Sequence, residues 1–218
     1  MDQELNEQES TAAAGAQRIR LRQQTLELHP LKAIYWHEKK ALLLADLHLG
    51  KAGHFRRAGI AVPHAVRHDN YDRLINLLLE YRPERVLLLG DLFHSDYNQA
   101  WEDFVDLLAQ FSGSTQFELI PGNHDILEAD YYAEAGLVVR PIDWIEGPFL
   151  LTHHPRKSYP DGYYGLAGHI HPGVRLYGAG RQSLRLPCFY FGQTGGILPA
   201  FGAFTGLSDC AVQTGDRV

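Results

Sequence analysis

Five times along the chain a short apolar run stops at a cluster of aspartate, asparagine or histidine. Ala41 to Ala45 leads into Asp46-Leu47-His48, and Val86 to Leu89 leads into Gly90-Asp91-Leu92-Phe93-His94. Phe117 to Ile120 is followed, after Pro121, by Gly122-Asn123-His124-Asp125. Phe149 to Leu151 is followed, after Thr152, by His153-His154-Pro155, and Gly165 to Ala167 by Gly168-His169-Ile170-His171. Continuous apolar runs of this length suit strands buried on both faces. Two segments between them carry helical period: Tyr71, Leu74, Ile75, Leu78 and Leu79, then Trp101, Phe104, Val105 and Leu108, joined by Phe111. A third, shorter helix is expected around 127–135. Strands alternating with helices predict a layered α/β fold. In such a sheet the carboxyl ends of the strands form the rim of the binding crevice, so the five polar clusters are expected to converge there. One such cluster is an ordinary turn or cap. Five at the same end of successive strands exceed what turn chemistry requires.

The flanks read differently. Arg18 to Leu28 alternates in character, and Leu31 to Trp36 repeats the pattern more loosely, as strands do. After Gly168, strand-like stretches (Val174 to Tyr177, Ser183 to Phe191) around Gly178-Ala179-Gly180 predict a hairpin or two in a second sheet. Residues 1–17 hold four acids, no bases and almost no large apolar side chains, so a disordered acidic tail is expected before a single domain over 18–218.

Composition narrows the function classes. Formal net charge is −6, but the tail carries four of the negative charges, which leaves −2 from Arg18 onward. Two bound divalent cations would reverse that sign, so charge does not exclude a phosphate-bearing substrate. No apolar run approaches the ~18 residues of a membrane span. The start, Met1-Asp2-Gln3-Glu4, lacks the basic and apolar stretches of a secretory signal, which predicts a cytoplasmic protein without membrane partners. Cys188 and Cys210 are read as free, packed thiols. Of 12 histidines, seven lie in the five motifs; His29, His37, His54, His64 and His68 show no ligand spacing and are read as surface or core-edge residues.

In Asp46-X-His48 and His169-X-His171 the two polar residues would share a face if the strand continued that far. Carboxylate, imidazole and amide donors without thiolate suit manganese, iron or zinc, and one carboxylate can bridge two ions about 3.5–4 Å apart, as in two-metal hydrolases. Lys51, Arg56, Arg57, Arg175, Arg181 and Arg185 are candidates for holding phosphates, the guanidinium fork matching phosphate geometry; a solvated strand face is the alternative.

The ordered set Asp-X-His, Gly-Asp, Gly-Asn-His-Asp, His-X-Pro and Gly-His-X-His across residues 46–171 resembles the signature of the calcineurin-like metallophosphoesterases. Gly90-Asp91-Leu92-Phe93-His94 resembles the version in the nuclease subunit of the double-strand-break repair complex. Ala45 to Lys51, Phe55 to Gly59, Gly180 to Phe189 and Leu198 to Gly206 resemble one bacterial subfamily, the ligase-associated DNA damage response endonucleases. The resemblance spans about 18–218 and implies a four-layer α/β/β/α sandwich, two mixed sheets flanked by helices. It implies a dinuclear-metal phosphodiesterase acting as a DNA endonuclease, with two divalent cations, manganese before iron or zinc, and association with a DNA ligase system. A phosphatase or pyrophosphatase for small nucleotides is the alternative; a non-catalytic scaffold would usually have lost ligands, and none is missing. Carried over to this sequence, the pattern gives the first metal to Asp46, His48 and His171 and the second to Asn123, His153 and His169, with Asp91 bridging. His153 is preferred to His154 because the family's ligand sits two residues before the proline. His124, His94 and Asp125 form the catalytic group. His124 serves near the leaving oxygen as general acid or transition-state donor, or else supports Asn123. His94 contacts His124 or the phosphate, while Asp125, and His154 with it, orients neighbours.

Overall fold

The computed structural model describes residues 15–51, 65–93, 99–203 and 205–218, with the backbone alone for 65–68 and 181. The expected tail therefore lies almost wholly outside the described residues. The alternating stretch at 18–28 is two strands, β1 (Gln17–Leu21) and β2 (Gln24–His29). Arg22 and Gln23 between them both have left-handed φ, 51° and 64°. That is the conformation of a two-residue type I′ hairpin turn, built here without the usual asparagine or glycine, which is why the sequence reads as one run. β3 (Ala33–Trp36) and β4 (Ala41–Leu44) continue the antiparallel meander.

From β4 the sheet turns parallel through β5 (Arg85–Leu89), β6 (Gln116–Ile120) and β7 (Leu137–Val139), giving seven strands in sequential order. The crossovers carry α1 (Ala65–Tyr81), α2 (Gln99–Phe111) and α3 (Ala129–Glu134). A second mixed sheet has the order β13-β14-β10-β9-β8, built from β8 (Asp143–Glu146), β9 (Phe149–Thr152), β10 (Tyr164–Ala167), β13 (Tyr190–Phe191) and β14 (Gly195–Ile197). A small third sheet joins β11 (Pro172–Tyr177), β12 (Ser183–Pro187) and β15 (Ser208–Asp209). The hairpin expected after Gly168 is thus β11–β12, in a sheet of its own.

The central runs are buried on both faces, as their composition demands. Leu42, Leu44, Val86, Leu88, Phe117 and Leu119 face α1 to α3, meeting Leu74, Leu77, Leu78, Trp101, Phe104 and Tyr132. The alternate residues Leu43, Ala45, Leu87, Leu89 and Ile120 face the second sheet, meeting Phe149, Leu151, Tyr164 and Leu166. In α1 the inward stripe includes Leu77, fully buried, while Leu79 is 60% exposed, so the helix is turned by about one position from the expected stripe. Among the described residues the three α-helices all lie on the first sheet. On the second sheet, Gly165 and Gly195 receive the ring of Tyr159, which occupies the space a side chain would fill. A buried ion-pair group ties the two sheets: Glu118, inaccessible to solvent, accepts from Arg85 Nε at 2.6 Å and Arg140 Nε at 2.7 Å, and Arg85 also reaches Glu146 at 3.2 Å. No described helix is long and apolar enough to cross a membrane.

Candidate metal centre

Because β4, β5 and β6 are neighbouring and parallel, Asp46, Asp91 and the turn at 122–125 emerge side by side. β9 and β10 are likewise parallel, with Thr152 opposite Ala167, so His153 and Gly168-His169 emerge together from the second sheet. The two rims meet. His153 Nδ1 lies 2.9 Å from the Leu89 carbonyl, and the His169 N–H donates to Asp46 Oδ2 at 2.9 Å. A carbonyl only accepts, so Nδ1 of His153 carries a proton and Nε2 is the nitrogen turned toward the carboxylates.

Five of the converging residues, Asp46, His48, Asp91, His169 and His171, have φ between 46° and 69°. β4 ends at Leu44 and β10 at Ala167, so the shared face expected for Asp46 and His48, and for His169 and His171, is not made by a continuing strand. Left-handed backbone turns these side chains inward instead. Asp, Asn and His are the non-glycine residues that enter this region most readily, so the types required as donors also suit the conformation.

The resulting cluster is dense. His48 Nε2 is 3.4 Å from His171 Nε2 and 3.7 Å from Asp91 Oδ2, and His171 Nε2 is 3.4 Å from Asp46 Oδ1. His153 Nε2 is 3.3 Å from Asp91 Oδ1 and 3.1 Å from His169 Nδ1. Three glycines form the wall behind it. A Cβ on Gly122 would stand 2.5 Å from Asp91 Oδ1, one on Gly168 would stand 2.6 Å from Asp46 Oδ2, and one on Gly90 would meet the His153 ring.

Electrostatics follows from burial and contact. Burial, helped by the nearby Lys51 charge, lowers His48 to about 3 against the pull of Asp91. Burial also opposes charge on Asp91, but the hydrogen bond and charge of His153, the His124 N–H and His48 prevail and bring it to about 2. Burial disfavours a charged His153 too, yet Asp91, the Leu89 carbonyl and Asp46 raise its pKa above the ordinary value. Positive charge is therefore favoured where His153 Nε2 faces Asp91, which suits a cation. The donors group as Asp46, His48 and His171; as Asp46, Asp91 and His153; and as His153, His154 and His169. Carboxylates and imidazoles gathered this way, with both carboxylates buried, fit a pair of divalent ions.

Around the cluster, Asn123 is exposed on the turn after β6, and the next residue, His124, donates its N–H to Asp91 Oδ1 at 3.0 Å, its ring 5.6 Å from that of His48. Asp125 accepts from Gly122 N–H and Leu92 N–H, each at 2.8 Å, tying the loops after β6 and β5 together. Its carboxyl is pushed up to about 6 by burial, aided by the Asp91 charge and opposed by those N–H groups. Lys51 is half-buried; burial lowers its pKa while Asp91 and Asp46 pull it back. His94, Arg56 and Arg57 lie outside the described residues, as does the side chain of Arg181. Arg185 and Arg175 are not gathered at the cluster. Asp209 of β15 takes Arg185 at 2.8 Å and lies 3.9 Å from Arg175 in the third sheet, because the parallel pairing of β15 with β11 sets an acid beside them. His154, read from sequence as an orienting neighbour, stands within the imidazole group, and its position before a proline in a His-His pair was the only signal for it.

The sequence profile of the calcineurin-like phosphoesterases matches residues 39–187. The chain is 34% identical to the nuclease MPE of Pseudomonas putida, whose crystal structure it matches over 93% of this chain and 95% of that one with a TM-score of 0.78. Yfce, a phosphoesterase from E. coli, is 13% identical over 74% of this chain and 79% of its own, with a TM-score of 0.40. No curated protein sequence matches.

Proposed function

Since the chain belongs to the calcineurin-like phosphoesterases, we propose that it hydrolyses phosphodiester bonds in DNA as an endonuclease working with two divalent cations, manganese first. The observation that carries this reading is the buried carboxylate and imidazole cluster at the meeting rims of two sheets, in a chain similar over nearly its whole length to a nuclease. Asp46, His48 and His171 would hold one ion, Asn123, His153 and His169 the other, and Asp91 would serve both. When bound, the two ions would supply an acidified water and Lewis-acid stabilisation of charge on the phosphoryl oxygens. The remaining work falls to side chains. His124, held through its own N–H by Asp91 and set beside His48, gives a proton to the leaving oxygen. Asp125 positions that turn by binding the N–H groups of Gly122 and Leu92. Lys51 offers its ammonium to a phosphate oxygen beside the carboxylates. His94, Arg56, Arg57 and Arg181 are assigned to leaving-group or phosphate contacts on the sequence pattern alone. The single domain over 18–218 acts in the cytoplasm, a reading in keeping with its two free thiols. The subfamily resemblance adds work alongside a DNA ligase, which pull-down with purified ligase would check.

The test is cleavage of circular single-stranded and duplex DNA, and of bis(p-nitrophenyl) phosphate, by chelator-treated protein given manganese, iron or zinc. DNA incision that weakens as salt rises is expected, with manganese restoring the most activity. Turnover of monoesters without diesters would instead favour a small-nucleotide phosphatase, and no turnover with any metal would refute the enzyme reading.

A further inference from the structure

The two-ion assignment leaves His154 with no task, although it sits inside the cluster. Ligating atoms of His153, His154 and His169 lie within 4.8 Å of one another. Their ring centroids are 4.6 Å apart for His153 and His154, 4.9 Å for His153 and His169, and 4.1 Å for His154 and His169. The rings are inclined to each other by 88°, 75° and 45°, so none of the pairs is stacked face to face. His153 Nε2 and His169 Nδ1 are 3.1 Å apart. Two nitrogens sharing one ion at about 2.0–2.1 Å come to about that separation. His153 is buried, His169 half-buried and His154 exposed, so His154 closes the group on its solvent side.

We propose that His154 is a further ligand of the second ion, joining His153 and His169, so that this position holds three imidazoles where the first holds two. The proposal rests on the two-ion reading above and extends it. Its consequence is an asymmetric centre. The first position, with Asp46 and Asp91 beside His48 and His171, has the harder donor set; the imidazole-rich second position favours zinc or iron over manganese. The backbone permits this because His154 follows His153 directly at the end of β9, while the His153 ring is anchored to the Leu89 carbonyl. Consecutive residues leaving a strand point apart, and the chain must turn at once for both imidazoles to serve one ion. The chain does so here, bending at His153 and His154 themselves.

Chelator-stripped parent and His154→Ala proteins, titrated separately with manganese and with zinc by calorimetry, test this. The parent is expected to bind two ions, and the variant to bind one of them about 10–100-fold more weakly with the other unchanged. X-ray absorption of the zinc-loaded parent supplies a readout independent of the variant: an average of two to three imidazoles per zinc is expected, falling on substitution. Unchanged affinity at both positions, with unchanged imidazole scattering, overturns the role of His154 while leaving the two-ion centre standing. A parent that binds fewer than two ions overturns both.

Discussion

Replacing Gly168 by alanine probes the centre without touching a donor. The added Cβ would stand 2.6 Å from Asp46 Oδ2, 2.8 Å from Ala45 Cβ and 3.1 Å from the Leu89 carbonyl. Ordinary contact begins at about 3.4 Å, so the carboxylate must retreat by about 0.8 Å. Asp46 has nowhere to go: it is fully buried and pinned by the His169 N–H through both oxygens, at 3.1 and 2.9 Å. Metal sites tolerate about 0.2 Å in donor distance, and a misplacement of about 1 Å near the reacting centre costs about 100-fold in rate. Overpacking of this kind costs about 1–3 kcal/mol of stability, or roughly 2–12 °C in a chain of this size. We therefore expect Gly168→Ala to remain folded while losing about 100-fold in manganese-dependent bis(p-nitrophenyl) phosphate turnover, and to bind manganese more weakly by calorimetry. Gly113→Ala, where a Cβ meets nothing within 4 Å, serves as the control and should match the parent. Turnover of Gly168→Ala within threefold of the parent would refute the claim that Asp46 works from the place where it is seen.

Other perturbations follow from the buried charges. His48, lowered to about 3 against its ordinary 6.5, stays neutral when folded, so the stability it contributes is complete above about pH 6.5 and lost as pH falls toward 3; urea titrations of metal-free protein across that range should show the slope. Asp125 runs the other way. Raised to about 6 from 3.8, it favours the folded state below about pH 4, and that contribution disappears as pH rises through 6; relative to Asp125→Asn, the parent should lose stability over that interval. Glu118→Ala would leave Arg140 without its carboxylate and Arg85 with Glu146 alone, and since both guanidiniums are partly exposed we expect a loss near 3 kcal/mol, at the low end for broken buried pairs, in chemical denaturation.

Much of this arrangement is legible in one dimension because its physical cause is local. Runs such as Ala41 to Leu44 and Val86 to Leu89 are apolar on both faces because both faces are covered, and a polar cluster at the end of each can only sit on a rim. The unread parts depend on partners far along the chain. Nothing local says that Leu77 rather than Leu79 meets the sheet, since adjacent leucines satisfy the period almost equally. Arg22 and Gln23 close a hairpin that glycine-based turn rules do not flag. Arg175 and Arg185 look free until Asp209 arrives from 24 residues beyond the second of them. The inward aim of His48 and His171 comes from backbone torsion, which residue identity permits but does not announce.

That torsion has a consequence for anyone transplanting the centre. The donors' orientation is stored in five unfavourable main-chain angles enforced by the sheets behind them, each costing about 1–2 kcal/mol in an unconstrained chain. Short peptides copied from these loops should relax to ordinary turns and bind metal poorly, whatever their composition. A designed mimic would have to reproduce the strand ends and the glycine wall before the histidines and aspartates mattered.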